Sequence, residues 1–146
     1  MHSINRIALQ PPILRRLYAV LWVAVVTVTL LQSSEHPLIG PGQPPGPVSL
    51  ERDILLTAAH AIAFSGLLTL LWWALHPARR ALSVSLIFCW CYGVATELLQ
   101  TLQVDRGASL SDLLMDFAAS GAAALVIARR GRSQAGSYHE EAEGRS

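Results

Sequence analysis

Ionisable and amide side chains lie inside stretches of this sequence that are otherwise apolar. An ionisable group in a membrane-spanning helix costs a few kcal/mol on insertion scales, so it usually faces a bundle interior or a water-filled cavity. Such groups are candidates for acid–base chemistry or ligand binding. They are His60, Glu97, Gln100, Asp112 and Asp116, with Arg106 on the segment that follows Gln103.

These residue types allow more than one chemistry. One hypothesis gives catalytic roles to Glu97, His60 and Asp112, with Glu97 as the base and His60 as the acid. An Arg side chain binds phosphate or carboxylate through two parallel hydrogen bonds. The residues assigned to substrate binding are Arg106, Gln100, Ser109 and Asp116.

Two alternative interpretations of the same residues are a structural network without catalysis and a metal site. Polar side chains often hold the helices of membrane bundles together, so the same set predicts a structural network if every partner is satisfied. A carboxylate-rich metal site with one His is a further alternative, but no paired-His motif supports it. The sequence therefore indicates no metal and no cofactor.

The composition predicts that these residues are positioned by membrane helices. Of the 146 residues, 52% are hydrophobic and only 14% are charged, whereas an average soluble domain has roughly 25% charged residues. Four stretches nearly free of charge, at 17–33, 54–75, 81–103 and 110–128, are long enough to cross a bilayer. We expect an all-α, polytopic integral membrane protein in which these stretches form a four-helix bundle.

The basic residues predict the orientation in a cell (inner) membrane. All 11 are Arg, and nine lie before the first stretch, between the second and third, or after the fourth. The positive-inside bias then places both termini in the cytoplasm, with 1–16 as an N-terminal segment and 129–146 as a disordered tail. Because the net charge is only +1, nucleic acid is not an expected partner. The sequence does not indicate an oligomeric state.

The polar residues share one depth and one face on each predicted helix. Glu97 and Gln100 are three residues apart, and Gly93 precedes Glu97 by four. A second stripe contains Ser109, Asp112, Asp116 and Ser120. Residues three or four apart share a helix face, so the spacing predicts a polar pocket at the outer mouth of the bundle.

The segment ELLQTLQVDRGASLSDLLMD resembles the VanZ-like membrane proteins. Their pattern is Glu-x-x-Gln, an Arg six residues later, a Ser after three more and an Asp after another three. The matching residues are Glu97, Gln100, Arg106, Ser109 and Asp112, and His60 matches an upstream His of the pattern. The resemblance covers roughly residues 53–128. Leu56 and Thr57 replace the usual Asp-Lys pair, and Asp116 replaces an Asn.

The resemblance implies a protein of the cell envelope and not a defined enzyme class. The family is associated with resistance to the glycopeptide teicoplanin, an antibiotic, so the implied role is glycopeptide tolerance or binding of a cell-wall or lipid precursor. The alternative is a membrane-embedded hydrolase or transferase acting on an extracytoplasmic lipid-linked substrate. The expected partners are the lipid bilayer and a lipid-linked or glycopeptide ligand.

Overall fold

The chain is helical throughout the parts that the computed structural model describes, which are residues 11–31, 50–102 and 109–143. The helices are α1 (Pro12–Leu31), α2 (Leu50–Leu75), α3 (Ala81–Gln100) and α4 (Leu110–Glu143). These ranges contain no strand. The predicted all-α class is confirmed.

Each helix contains a segment that is long and apolar enough to cross a membrane. The segments have 19 to 23 residues and a mean hydropathy of 1.6 to 1.8. At 1.5 Å per residue, about 20 residues span the hydrocarbon layer of roughly 30 Å. Length and composition therefore confirm the predicted multi-pass membrane character. The choice of membrane and the side on which each terminus lies stay predictions.

The helix boundaries differ from the prediction mainly in α4. The sequence predicted an end at Ala128 followed by a disordered tail, but α4 continues to Glu143. The membrane-span candidate ends at Arg132, and the residues beyond it include Ala, Gln and Glu, which favour helix. Hydropathy marks where a span ends, whereas helix propensity decides where the helix ends.

The helices pack as two triangles that share the α2–α3 edge. α2 contacts α1, α3 and α4, and its contact with α4 is the most extensive. Within the described residues, α1 and α4 do not contact each other. The guanidinium of Arg15 near the start of α1 donates to the carbonyl oxygens of Trp73 (3.3 Å) and His76 (3.2 Å) at the end of α2. The start of α1 therefore lies beside the end of α2, and these two helices run antiparallel.

The core is apolar and lies around α2. Phe64, Leu67 and Leu68 of α2 are fully buried, and they pack with Val26 and Leu30 of α1. The core also includes Cys89 of α3 and Ala124 of α4. Large hydrophobic side chains elsewhere on the helices are exposed, as expected for surfaces that face lipid.

Close packing between α1 and α2 depends on a glycine. The indole nitrogen of Trp22 donates to the carbonyl oxygen of Ala63 at 3.0 Å. A Cβ atom at Gly66 would lie only 2.9 Å from Cζ2 of the same ring. Since real Cβ atoms do not approach a ring atom so closely, the Trp22 ring occupies the space that the absent side chain leaves.

Candidate functional site

The centre of the site is a buried pair formed by two helices. His60 on α2 and Asp116 on α4 are 5% and 0% exposed, and Nδ1 of His60 lies 2.9 Å from Oδ1 of Asp116. The two side chains are therefore hydrogen-bonded. A His–carboxylate pair of this kind fixes the orientation of the imidazole and can exchange a proton with a bound group.

The second carboxylate oxygen of Asp116 has no hydrogen-bond partner among the described residues. Oδ2 of Asp116 is buried and faces Gly93 of α3, where a Cβ atom would lie 3.6 Å from it. The hydroxyl of Ser120 bonds to the backbone oxygen of Asp116 at 2.7 Å and not to its carboxylate. Oδ2 therefore keeps its full capacity to accept a hydrogen bond.

Glu97 joins the end of α3 to the start of α4. Its side chain is 5% exposed, and its Oε2 accepts a hydrogen bond of 2.7 Å from the backbone N–H of Ser109. Free N–H groups and the helix dipole make the start of a helix favourable for a negative charge. The local structure thus explains how a carboxylate is held at this position.

Ser109 and Asp112 form the beginning of α4. The Ser109 hydroxyl accepts a hydrogen bond of 3.3 Å from the backbone N–H of Asp112, and the carbonyl of Ser109 accepts one of 3.1 Å from Leu113. Ser109 is therefore the N-cap residue, and Asp112 is the acidic residue of the first turn. Both residues stabilise the helix start in addition to any contact with a ligand.

Asp112 and Glu97 also contribute charge to the central pair. The half-buried Asp112 and the buried Glu97 interact electrostatically with both His60 and Asp116. We call these four residues the polar cluster. It holds three carboxyl groups and one imidazole, brought together from α2, α3 and α4.

Gln100 points away from the polar cluster. Its side chain is 4% exposed, and its Nε2 donates to the carbonyl oxygen of Leu30 at the end of α1, at 3.0 Å. A hydroxyl–hydroxyl contact of 2.7 Å between Thr27 and Tyr92 joins the same two helices. The structure thus gives Gln100 a contact that holds α1 against α3, and its substrate contact stays a prediction.

A cleft beside the polar cluster opens between α3 and α4. Its volume is about 290 Å³, close to the lower end of the range of roughly 300–1,000 Å³ that is usual for ligand sites. The residues that line this α3–α4 cleft are Val94, Glu97, Leu98, Ser109, Leu110 and Leu113. Its walls are thus aliphatic apart from Glu97 and Ser109.

The structure brings together most, but not all, of the residues that the sequence predicted. His60, Glu97, Ser109, Asp112 and Asp116 lie at the end of the bundle where α2 and α4 begin. The direct partner of His60 is Asp116, whereas the sequence hypothesis grouped His60 with Glu97. Arg106 lies outside the described residues.

The described residues do not present a metal-ligand set. No three His, Cys, Asp or Glu side chains within the described ranges are arranged to hold an ion together. Cys89 is buried and Cys91 is exposed, and both are free thiols. In the described part of the chain, the chemistry of the site therefore comes from carboxylates and an imidazole.

The sequence reasoning missed two features of the site. The aliphatic walls of the cleft were not singled out, although Val94 and Leu98 are four residues apart and lie on either side of Glu97 in the sequence. The capping role of Ser109 also had a signal, because a Ser three residues before an Asp at the start of an apolar run is typical of a helix N-terminus. Both signals were readable in the sequence.

The fold and the site define an all-helical, multi-pass membrane protein with a buried polar cluster and an adjacent cleft at one end of the bundle. Comparison of the chain with protein-family models gave no match, and searches of the curated proteins and of the solved structures gave none either.

Proposed function

We propose that this chain is a VanZ-like membrane protein of the cell envelope that binds a lipid or a cell-wall precursor in the α3–α4 cleft. Its effect on the cell is then a change in tolerance to glycopeptides such as teicoplanin. The observation that carries the proposal is the position of Glu97. Glu97 is buried and lines an aliphatic cleft, close enough to the His60–Asp116 pair to interact with it electrostatically.

The cleft suits an amphiphilic ligand. Val94, Leu98, Leu110 and Leu113 offer aliphatic walls for a hydrocarbon chain, and Glu97 provides one polar contact for a headgroup. Ligand sites commonly combine mostly apolar walls with a few polar groups that set orientation. The distribution of Arg in the sequence predicts that this end of the bundle faces outward, where envelope precursors are exposed.

The unpartnered oxygen of Asp116 favours binding over a purely structural network. A buried polar network stabilises a bundle when all its members are satisfied, and an unsatisfied acceptor costs about 1–3 kcal/mol. Oδ2 of Asp116 is buried and unpartnered among the described residues. A ligand or water molecule that donates to it would recover this cost.

The resemblance to the VanZ-like pattern supports the same location. Glu97 and Ser109 belong to that pattern and line the cleft, where their hydrogen bond joins α3 to α4. Asp112 also belongs to it and lies in the first turn of α4. Gln100, another member of the pattern, contacts α1 instead, so this support concerns Glu97 and Ser109.

Antibiotic susceptibility tests this proposal. A sensitive Gram-positive host is made to express the wild type, Glu97→Gln, Asp116→Asn or Glu140→Gln, and membrane levels are compared by blotting. Glu140→Gln is the matched control, because it makes the same chemical change far along α4 from the cleft. We expect the wild type and the control to protect against teicoplanin more than against vancomycin, and the two site variants to lose protection.

Two outcomes would contradict the proposal. Full protection by a well-expressed Glu97→Gln variant would remove the cleft from the mechanism. Absence of protection by the wild type would remove the glycopeptide role, and the lipid-binding role would then depend on direct binding measurements.

The His60–Asp116 pair favours one alternative function, a membrane-embedded hydrolase or transferase. An imidazole oriented by a carboxylate is a common general base, and His60 would accept the proton of an attacking hydroxyl and return it to the leaving group. Purified protein is incubated with a lipid-linked precursor, and release of the headgroup is followed. Turnover by the wild type that is lost in His60→Gln would support the enzymatic function. If the wild type shows no turnover, the binding function stays as the proposal.

A further inference from the structure

The ionisable side chains in and near the α3–α4 cleft are mostly carboxyl groups. Glu97 lies in the wall, and Asp112 and Asp116 interact electrostatically with the same His60. His60 is already hydrogen-bonded to Asp116. One carboxyl group thus contacts the imidazole and two more lie near enough to interact with it, beside a ligand-sized cleft.

We propose that the ligand of this cleft is an amphiphile whose headgroup ends in a primary ammonium group. The ammonium donates to Glu97, and the adjoining hydrocarbon lies along the aliphatic walls. This inference rests on the proposed function of the cleft as a lipid or precursor site. In a bilayer, the ethanolamine phospholipids supply this chemistry.

A cation fits the site better than an anion. A carboxylate held in low-dielectric surroundings gains most from an opposite charge that also donates hydrogen bonds. A phosphate at Glu97 would instead meet a like charge at close range, which is costly where water does not screen it. A headgroup with both charges can direct its ammonium to Glu97 and its phosphate away from the carboxylates.

Other cations match the site less well. A divalent metal ion needs several converging ligands, and the described residues do not provide three. A quaternary ammonium group is usually held by aromatic rings, whereas the cleft walls are aliphatic. A carboxylate in an aliphatic wall therefore favours a small cation that carries N–H donors.

The unpartnered oxygen of Asp116 is buried near the α3–α4 cleft but does not line it. At Gly93, the point where a Cβ atom would stand is 3.6 Å from Oδ2 of Asp116 and 3.6 Å from a methyl group of Leu113. Leu113 also lines the cleft. Among the described residues this oxygen is a second unpartnered acceptor near the cleft, which agrees with a hydrogen-bond donor on the ligand.

Lipid selectivity of the purified full-length chain tests the proposal. Phospholipids with identical acyl chains and ethanolamine, N-methylated ethanolamine, choline or glycerol headgroups are compared by native mass spectrometry. A photoreactive diazirine near the headgroup maps the site through crosslinked peptides. We expect the ethanolamine lipid to bind about tenfold more tightly than the glycerol lipid and to crosslink within 94–98 and 109–113.

Variants and methylation connect the preference to Glu97. Glu97→Gln is expected to lower ethanolamine-lipid affinity about tenfold and to leave glycerol-lipid affinity unchanged, whereas Glu140→Gln changes neither. The amide of Gln still accepts the Ser109 N–H bond, so the start of α4 is kept. If this variant does not fold, stepwise N-methylation of the lipid on the wild type makes the same test, because each methyl group removes one donor.

The outcomes separate this inference from the proposed function. Equal crosslinking of all lipids in the cleft, lost in Leu98→Trp, would overturn the amine preference and leave the lipid site standing. Absence of any crosslink in the cleft would overturn both. If free ethanolamine bound as tightly as the phospholipid, the ligand would not need to be an amphiphile, because the aliphatic walls would contribute nothing to the affinity.

Discussion

The hydrogen bond between His60 and Asp116 makes a quantitative prediction about the bundle. The two side chains meet at 2.9 Å between α2 and α4, the helices with the most extensive contact. Both residues are buried. Replacing either with Ala leaves the other as a buried polar group without this partner, so we expect the two replacements to be strongly non-additive.

The expected coupling follows from the environment of the pair. Interhelical hydrogen bonds in a membrane protein average about 0.6 kcal/mol, with a maximum near 1.7, in double-mutant cycles. A hydrogen bond with an ionised partner is roughly twice as strong as a neutral one. The coupling energy between His60 and Asp116 should therefore be about 1–2 kcal/mol, and each single Ala variant should lose about 1–3 kcal/mol because of its unsatisfied partner.

The measurement is a double-mutant cycle on the free energy of unfolding. The wild type, His60→Ala, Asp116→Ala and the double variant are unfolded with SDS in mixed micelles, and helix content is followed by circular dichroism. Ser65→Ala is a suitable control on α2, because its hydroxyl bonds only within its own helix. Losses that add to within about 0.5 kcal/mol would be the behaviour of independent sites, and the pair would then have no energetic role.

Two further predictions concern packing and orientation. Gly66→Ala places a Cβ atom 2.9 Å from the Trp22 ring, so it should cost about 1–3 kcal/mol in the same unfolding assay. A Cβ atom at Gly121 would have no neighbouring side chain within 4 Å. Gly121→Ala should therefore be neutral or stabilising by up to about 1 kcal/mol. Equal stability of the two would refute the packing argument. With both native cysteines replaced by serine, Gly42→Cys should react with an impermeant thiol reagent in intact cells and Gln134→Cys should not, and the opposite labelling would reverse the predicted orientation.

Hydropathy and spacing were sufficient to predict the helices and the faces of the polar stripes. Residues four apart share a helix face, so both members of such a pair should be buried when one faces the interior. This holds on α3 for Gly93 and Glu97, and on α4 for Asp116 and Ser120. The start of α3 at Ala81 and the end of α2 at Leu75 also agree with the prediction. Helix ends and buried helix faces are determined by residues close together in the sequence, so the sequence is sufficient to predict them.

The partners of the polar residues could not be predicted in the same way. Which carboxylate meets His60 depends on the rotation and vertical offset of α2 relative to α4, and a difference of one helical turn, about 5.4 Å, exchanges Asp112 for Asp116. The close contact of Gly93 with Phe64 and Asp116 depends on how three helices pack together. Such quantities arise from the whole bundle and not from the spacing within one helix.

The polar residues of this bundle differ in how much of their hydrogen-bonding capacity other described residues use. Gln100 uses an amide proton on the carbonyl of Leu30, so its loss should weaken the contact of α1 with α3 without changing ligand selectivity. Asp116 retains an unpartnered oxygen, and Glu97 lines a cleft in addition to holding Ser109. The other buried atoms without a partner among the described residues, Nε of Arg15 and Oγ of Ser85, lie near the opposite end of the bundle. Glu97 and Asp116 lie on α3 and α4, the helices that form the cleft. A ligand that uses this capacity would stabilise α3 against α4, and the apparent stability of the bundle would rise with its concentration.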